Sequence, residues 1–361
     1  MICRIFAAAT ILLAAVALLV AAWPQLFGLG RSFGVAQVVA LRGTAALVAG
    51  VGVIAFLLIA LVSRRVRRFA ATLALLLLAF TGVSAAVLAT RGDTPAGFQT
   101  KAANDLTVLG WNTLGDAPGA DEIAKLAIQQ KADVVALPET SARTATAVRD
   151  LMGRSGIRMQ LLTLSYDKVA KAHTTALLIS AKLGEYRLDE GHGSTKTLPS
   201  VLAVPVDGSG PTIVAAHAVA PVPGEMANWR SGLQWLAARC APATTGASGS
   251  TGGSTSAKTS ASTGGTIMAG DFNSTLDHYA GLGAKTATGA GDLGACHDGA
   301  RAEKSAAVGS WPTSLPPTMG APIDHVMASD GWTFVGFRVI GTEDGAGSDH
   351  RPVVAQLRPG S

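Results

Sequence analysis

The stretch IMAGDFNSTLDH, residues 267–278, is an apolar run that stops at Gly270 and is followed by Asp271 and Asn273, two positions apart. A buried strand reaching the edge of its sheet reads this way, and in a strand residues i and i+2 share a face. The two polar side chains therefore point in one direction. A carboxylate beside a carboxamide offers oxygen ligands to a hard cation, and an N–H donor to a phosphate oxygen or a water. An Asx-rich turn is the ordinary alternative for an isolated GDFN, so the rest of the chain has to choose.

Working outward from that strand, residues 104–359 alternate short apolar runs with helical or turn-rich segments, the pattern of an α/β domain. LTVLGWN (106–112), ADVVALPE (132–139), TTALLIS (174–180), SVLAVPV (200–206) and TIVAAHAV (212–219) read as strands. So do TIMAGDF (266–272), IDHVMAS (323–329), FVGFRVI (334–340) and RPVVAQL (351–357). That is too many strands for one small sheet. DEIAKLAIQQ (121–130) has the spacing of an amphipathic helix, and NWRSGLQWLAARC (228–240) sets Trp229, Leu233 and Leu236 along one side of a second. Polar groups stand at the ends of these strands: Asn112, Glu139, His217, Asp271 with Asn273, Asp324 with His325, and Asp349 with His350. One such residue means little; the series points to a single cleft at one rim, where strands deliver oxygen and imidazole groups to a common point.

Residues 1–91 are of another kind. No Asp or Glu precedes Asp93, and apolar runs over Ile5–Trp23, Gly43–Val62 and Phe69–Thr90 each approach the ~20 residues a helix needs to cross hydrocarbon. Three transmembrane helices are expected. A cleaved signal peptide is the alternative for the first, with Arg4 at its start, but the two later spans make a leader unnecessary. Arg64, Arg65, Arg67 and Arg68 crowd the connection between the second and third runs, against Arg31 and Arg42 between the first and second. The four-arginine loop is predicted to stay cytoplasmic, which carries everything after Arg91 across the membrane to an extracytoplasmic position. Residues 92–103 then form a linker. Residues 241–265, a Gly/Ser/Thr-rich run with nothing to bury, are expected to be a flexible surface insertion.

The overall charge of +5 belongs to the membrane segment, because from residue 92 onward 21 Lys and Arg face 24 Asp and Glu, a net −3. A domain built to hold long nucleic acid non-specifically usually carries a basic stripe, and none is visible. Cys240 and Cys296 fall in the outer domain, where a disulfide can persist; one pairing is open to them, with two buried thiols as the alternative. Spans free of Asp, Glu, Lys and His offer no ion path, which argues against a transporter.

The ordered series WN, PE, AH, GDFN, IDH and SDH resembles the endonuclease/exonuclease/phosphatase (DNase I-like) superfamily, and in particular its membrane-anchored bacterial members with N-terminal spans. The resemblance covers about residues 104–359. It implies a four-layer α/β/β/α sandwich, two mixed sheets face to face with helices outside, preceded here by the three spans. It also implies a Mg²⁺ or Mn²⁺ cofactor. Glu139 corresponds to the principal metal ligand, with Asn112 beside it and Asp349 completing the metal environment. Asp271 and Asn273 would orient the attacking water and the scissile phosphate. His350, steadied by Asp324, and His217 would contact the phosphate and manage the proton. The family usually has Gln before the metal-binding Glu, where this chain has Pro138; no carboxylate partner for His217 is evident, Asp167 being the nearest suggestion. His173 and Trp311 fall where a substrate wall would be. His192, His278 and His297 receive no role.

The expectation is a divalent-metal-dependent phosphoesterase, multi-pass in the cell membrane, acting on a lipid head group, a polyprenyl pyrophosphate or nucleic acid, with the bilayer itself as a partner and no protein partner. A secreted-face nuclease is one alternative. A non-catalytic relative that only binds a phosphorylated ligand is another.

Overall fold

The computed structural model describes residues 2–94, 97–167, 169–240, 264–283 and 292–360. Most of the Gly/Ser/Thr-rich insertion, residues 241–263, lies outside the described residues. The chain begins with helices α1 (Ile2–Ala22), α2 (Val35–Ala40), α3 (Arg42–Val62) and α4 (Arg67–Arg91). Three of them are long and apolar enough to cross a membrane, over Arg4–Ala22, Arg42–Val62 and Arg67–Arg91. Short α2 lies in the connection between the first two.

Then come β1 (Leu106–Gly110), α5 (Gly119–Gln129), β2 (Val134–Pro138), α6 (Ala142–Arg154), β3 (Met159–Ser165), β4 (Thr174–Ser180), β5 (Tyr186–Leu188) and β6 (Val201–Pro205). The remainder is β7 (Thr212–His217), α7 (Met226–Arg239), β8 (Thr266–Asp271), β9 (Cys296–Asp298), α8 (Gly299–Ala302), β10 (Asp324–Ser329), β11 (Trp332–Val339) and β12 (Val353–Pro359).

The strands form two six-stranded mixed sheets, β11-β12-β1-β2-β4-β3 and β5-β6-β7-β8-β10-β9. Side-chain alternation explains how they stack. On β1, Val108 turns toward the second sheet and packs with Ala215, Ala269 and Val326, whereas its neighbour Leu109 turns outward and packs with Ile123 and Leu126 of α5 and Val148 and Met152 of α6. The outer face of the second sheet is covered by α7 through Trp229, Leu233 and Leu236, all fully buried. At about 1.5–3 kcal/mol for each fully buried large apolar side chain, that one stripe is enough to hold α7 in place. The layers are thus helix, sheet, sheet, helix, the four-layer DNase I-like sandwich.

Two glycines let the sheets meet closely at the rim. A Cβ on Gly110 of β1 would come 3.1 Å from Gly270 N of β8, and one on Gly270, whose φ is +129°, would strike Ala216 O at 2.3 Å. A side chain at Gly110 would push apart the strands that carry Asn112 and Asp271, and one at Gly270 would push β8 from its neighbour β7, which carries His217. Cys240, at the end of α7, is joined by a disulfide to Cys296 of β9, with Cα atoms 5.7 Å apart.

The sandwich rests on the ends of the apolar helices. Asp277 Oδ1, buried just beyond the GDFN strand, accepts from Arg42 Nη2 at 3.0 Å, from Gln25 Nε2 at 3.2 Å and pairs with Arg91 Nη2 at 2.9 Å. The start of α3, the end of α4 and the chain just past α1 therefore share one anchor. Arg64, Arg65, Arg67 and Arg68 lie at the opposite ends of α3 and α4.

Candidate active site

Register, more than any loop, builds this site. In the second sheet His217 ends β7 directly beside Asp271 of β8, and Asp324 opens β10 directly across from the same Asp271. Three titratable groups thus stand in one row. From the facing sheet, Asn112 follows β1 and Glu139 follows β2, while Asp349 and His350 come in on the segment leading to β12.

Asn112 joins the two sheets: its Nδ2 donates to Glu139 Oε1 at 3.0 Å and to Asp271 Oδ2 at 3.0 Å. Its oxygen accepts from Leu114 N at 3.1 Å. Expected among metal ligands, Asn112 stands in the structure as a donor bridging two carboxylates. Asn273 folds back on Asp271, whose Oδ1 accepts from Asn273 N at 2.7 Å and whose Oδ2 accepts from its Nδ2 at 2.9 Å. Trp229 Nε1 on α7 in turn donates to Asn273 O at 3.0 Å, tying helix packing to the site. Glu139 and Asn273 have φ of +55° and +46°. Asn tolerates the left-handed region, but for Glu it stores on the order of 1 kcal/mol or more, and such strain concentrates where a side chain must be aimed.

His350 Nδ1 lies 2.8 Å from Asp324 Oδ2, and its Nε2 faces Asp271 Oδ2 and Asp349 Oδ1, each at 3.9 Å. Burial alone would lower the basicity of this imidazole. The carboxylates of Asp324 and Asp271 outweigh burial and raise it, so the ring holds its proton through neutral pH. Asp271 shifts upward in response to burial, helped by Asp324 and opposed by His350. The pair is thus an acid and a carboxylate able to take up a proton, side by side. For Glu139, burial works to raise the pKa, but His217, Asn112 and His350 together hold it low. Glu139 is a carboxylate.

The missing partner of His217 is supplied across the sheets. Its Nδ1 lies 3.2 Å from Thr175 Oγ1, and its Nε2 lies 3.8 Å from Glu139 Oε1, an ion-pair approach too long for a hydrogen bond. Asp167 is not involved: its carboxylate accepts from Val169 N at 2.8 Å. His325, next to Asp324, points to the other face of β10, where it meets Asp298 Oδ2 at 2.7 Å and Ser274 O at 2.8 Å, as strand alternation requires. His173 sits in the single turn Lys171–His173 before β4. Trp311, expected as a substrate wall, donates from Nε1 to Asp349 Oδ2 at 2.8 Å.

Does this set fit a divalent cation? Asp271, Asp324 and His350 offer atoms within 4.8 Å of one another. However, His350 Nδ1 is spent on Asp324, and Asp271 already accepts three hydrogen bonds. The open oxygen is Asp349 Oδ1, buried and without a hydrogen-bond partner among the described residues, as are Asp324 Oδ1 and His217 Nε2. Four carboxylates converge on two imidazoles, and unfilled buried oxygens are what a hard cation satisfies. The residues fit the ion.

Residues 109–350 match the model of the Endonuclease/Exonuclease/phosphatase family. No curated protein matches the chain. Among solved structures, a humanized D. rerio TDP2 is 15% identical, with a TM-score of 0.49, over 71% of this chain and 100% of its own. The AP endonuclease of Leishmania major is 15% identical with a TM-score of 0.49, over 75% and 95%. A family member from Beutenbergia cavernae is 17% identical with a TM-score of 0.45, over 72% of each.

Proposed function

This chain belongs to the endonuclease/exonuclease/phosphatase family of metal-dependent hydrolases of phosphoester bonds, and from that premise we propose that it hydrolyses a phosphate ester or pyrophosphate of a membrane lipid at the outer surface of the cytoplasmic membrane. One observation carries the catalytic half: Asn112 holds Glu139 and Asp271, from two different sheets, against the His350–Asp324 pair. Glu139 and Asp349 would hold a divalent cation such as Mg²⁺ or Mn²⁺, which would neutralise phosphate charge and polarise phosphorus. Asp271 orients a water and takes its proton, and Asn273 keeps that carboxylate in place through two hydrogen bonds. His350, protonated at Nε2 and oriented by Asp324, donates toward a phosphate oxygen. His217 contributes a second imidazole edge beside Glu139.

The membrane half rests on the helices. Asp277 binds the ends of α3 and α4 opposite to the Arg64–Arg68 loop, and a four-arginine loop favours the cytoplasmic side. The net −3 of residues from 92 onward disfavours a non-specific nuclease.

The test uses the full chain in nanodiscs with Mg²⁺ or Mn²⁺, offered phospholipid, polyprenyl pyrophosphate and DNA side by side. Hydrolysis of a phosphorylated lipid is expected; turnover confined to DNA would make the protein a nuclease. Phosphate release from none, with phospholipid still bound, would leave a non-catalytic binder. Protease added to intact spheroplasts should cut the sandwich and spare the Arg64–Arg68 loop, and the reverse pattern would invert the orientation.

A further inference from the structure

A cavity of about 270 Å³ opens beside the catalytic centre, between the sandwich and the membrane helices. Two of its lining residues, Asn273 and Trp311, are the ones whose side chains hold Asp271 and Asp349. Away from them the walls are apolar except for Gln37: Ala40, Leu41, Pro221, Val222, Ala321 and Ile323. Ala40 ends α2, and Leu41 immediately precedes Arg42, the first residue of the membrane-crossing helix α3. One end of the cavity is therefore at the reacting groups and the other at the bilayer surface. Exposed Trp23 and Phe27, just past α1, mark the same level, as aromatic residues do at membrane interfaces.

This wall is built in, because α2 and the chain on either side of it are tied to the sandwich at several points. Gln37 Nε2 donates to Pro221 O at the cavity itself. Arg31 Nη1 donates to His278 O at 2.7 Å and to Ala280 O at 2.8 Å, and Thr44 Oγ1 donates to Met319 O at 2.7 Å.

Building on the phosphoesterase reading above, we infer that this cavity receives the hydrocarbon chain next to the phosphate of the substrate, so that a phosphorylated lipid reacts without leaving the membrane surface. The volume is near the lower end of the ~300–1,000 Å³ of small-molecule sites, which suits the first part of one chain and excludes a whole diacyl lipid. Diacyl and isoprenoid lipids both present such a chain. Each methylene withdrawn from water is worth roughly fourfold in affinity, so a few of them set the preference.

Full-length protein in nanodiscs is given two substrate pairs, dibutanoyl against dioleoyl phosphatidic acid and isopentenyl against farnesyl pyrophosphate. In one arm or the other, kcat/KM should favour the long chain at least ~10-fold, and the arm that responds identifies the lipid class. Ala40→Trp and, at a more exposed position, Val222→Trp should each bring that ratio toward one. Binding is read separately with the same long-chain phosphates carrying a diazirine in the chain, expected to label peptides containing Leu41 or Val222. Hydrolysis without chain-length preference, or labelling elsewhere, overturns the inference. Failure to hydrolyse anything would instead sink the phosphoesterase reading, and the labelling pattern would still decide the cavity.

Discussion

His350 Nδ1 and Asp324 Oδ2 are 2.8 Å apart, and Asp271 faces the same Asp324 across the β8–β10 ladder. A carboxylate at one ring nitrogen fixes the proton there and leaves the other nitrogen for the reaction. Asp324→Asn should keep the ring in place but reduce its positive charge, lowering turnover by ~10²-fold or more, while His350→Ala removes most activity. Both variants should lose the dependence of rate on the group that donates at Nε2. Wild-type rate and pH profile in His350→Ala would transfer the role to His217.

Asp277 serves three partners from the membrane segment through one oxygen, and Arg42 is 3% exposed. Removing one partner of a buried ion pair costs ~3–5 kcal/mol, because the other charge stays behind. Asp277→Ala should therefore lower the unfolding midpoint of the full chain and raise hydrogen exchange over Leu276–Ala280, with β1 and β8 unchanged. An unaltered exchange pattern would show that the sandwich is held to the helices by other contacts.

His278 gives the protein a defined acid sensitivity. It accepts from Thr275 N at Nδ1, 2.8 Å, and its Nε2 reaches Ala36 O at 3.1 Å, which requires the neutral ring protonated on Nε2. Burial is the main cause that lowers its pKa to about 4, against the opposing pull of Asp277. An unfolded histidine titrates near ~6.5. Above that pH both states are neutral and nothing is lost; as pH falls toward 4 the unfolded chain takes the proton first, and folding weakens. The loss is on the order of 3 kcal/mol when complete. His278→Gln should flatten this part of the stability curve, read as melting midpoint between pH 7 and 4.5. An equal slope in the variant would assign the acid sensitivity elsewhere.

The Cys240–Cys296 bond closes a loop of 56 residues between α7 and β9. Cross-linking a loop of that size contributes roughly 2–4 kcal/mol through the unfolded chain. Cys240→Ser and Cys296→Ser should each lower denaturant stability by that amount, and reductant should do the same to the native protein. Indifference to both would mean that the bond constrains nothing in the unfolded state.

Much of the architecture was legible because burial and alternation leave a mark on sequence. The runs around Leu106, Val134, Thr174, Thr212, Thr266, Asp324 and Val353 all became strands, and Trp229, Leu233 and Leu236 became one buried helix face. Strand β3 was harder to see: it is a half-exposed edge, and Gln160 breaks its apolar run. Three-residue β5 and β9 are too short to show a period. Helix α6 did carry a signal, Ser141 accepting from Thr144 N at its start and Ala145, Val148 and Met152 buried at helical spacing, but Thr and Arg dilute the stripe. The polar residues at the strand ends could be read as a group, whereas their partners could not. Thr175 reaches His217 from the opposite sheet, and Asp277 meets arginines from α3 and α4. Those contacts depend on how separate elements stack, which no local pattern encodes.

The most direct test of the central claim is phosphoester turnover by the full-length protein in nanodiscs, measured against Mg²⁺ or Mn²⁺ concentration for the native chain and for Glu139→Gln. The native protein should need the cation and fall silent with chelator. Glu139→Gln, with an unchanged melting midpoint, should lose at least ~10²-fold in turnover even at saturating metal. Metal-indifferent hydrolysis, or near-native turnover in Glu139→Gln, would contradict the account.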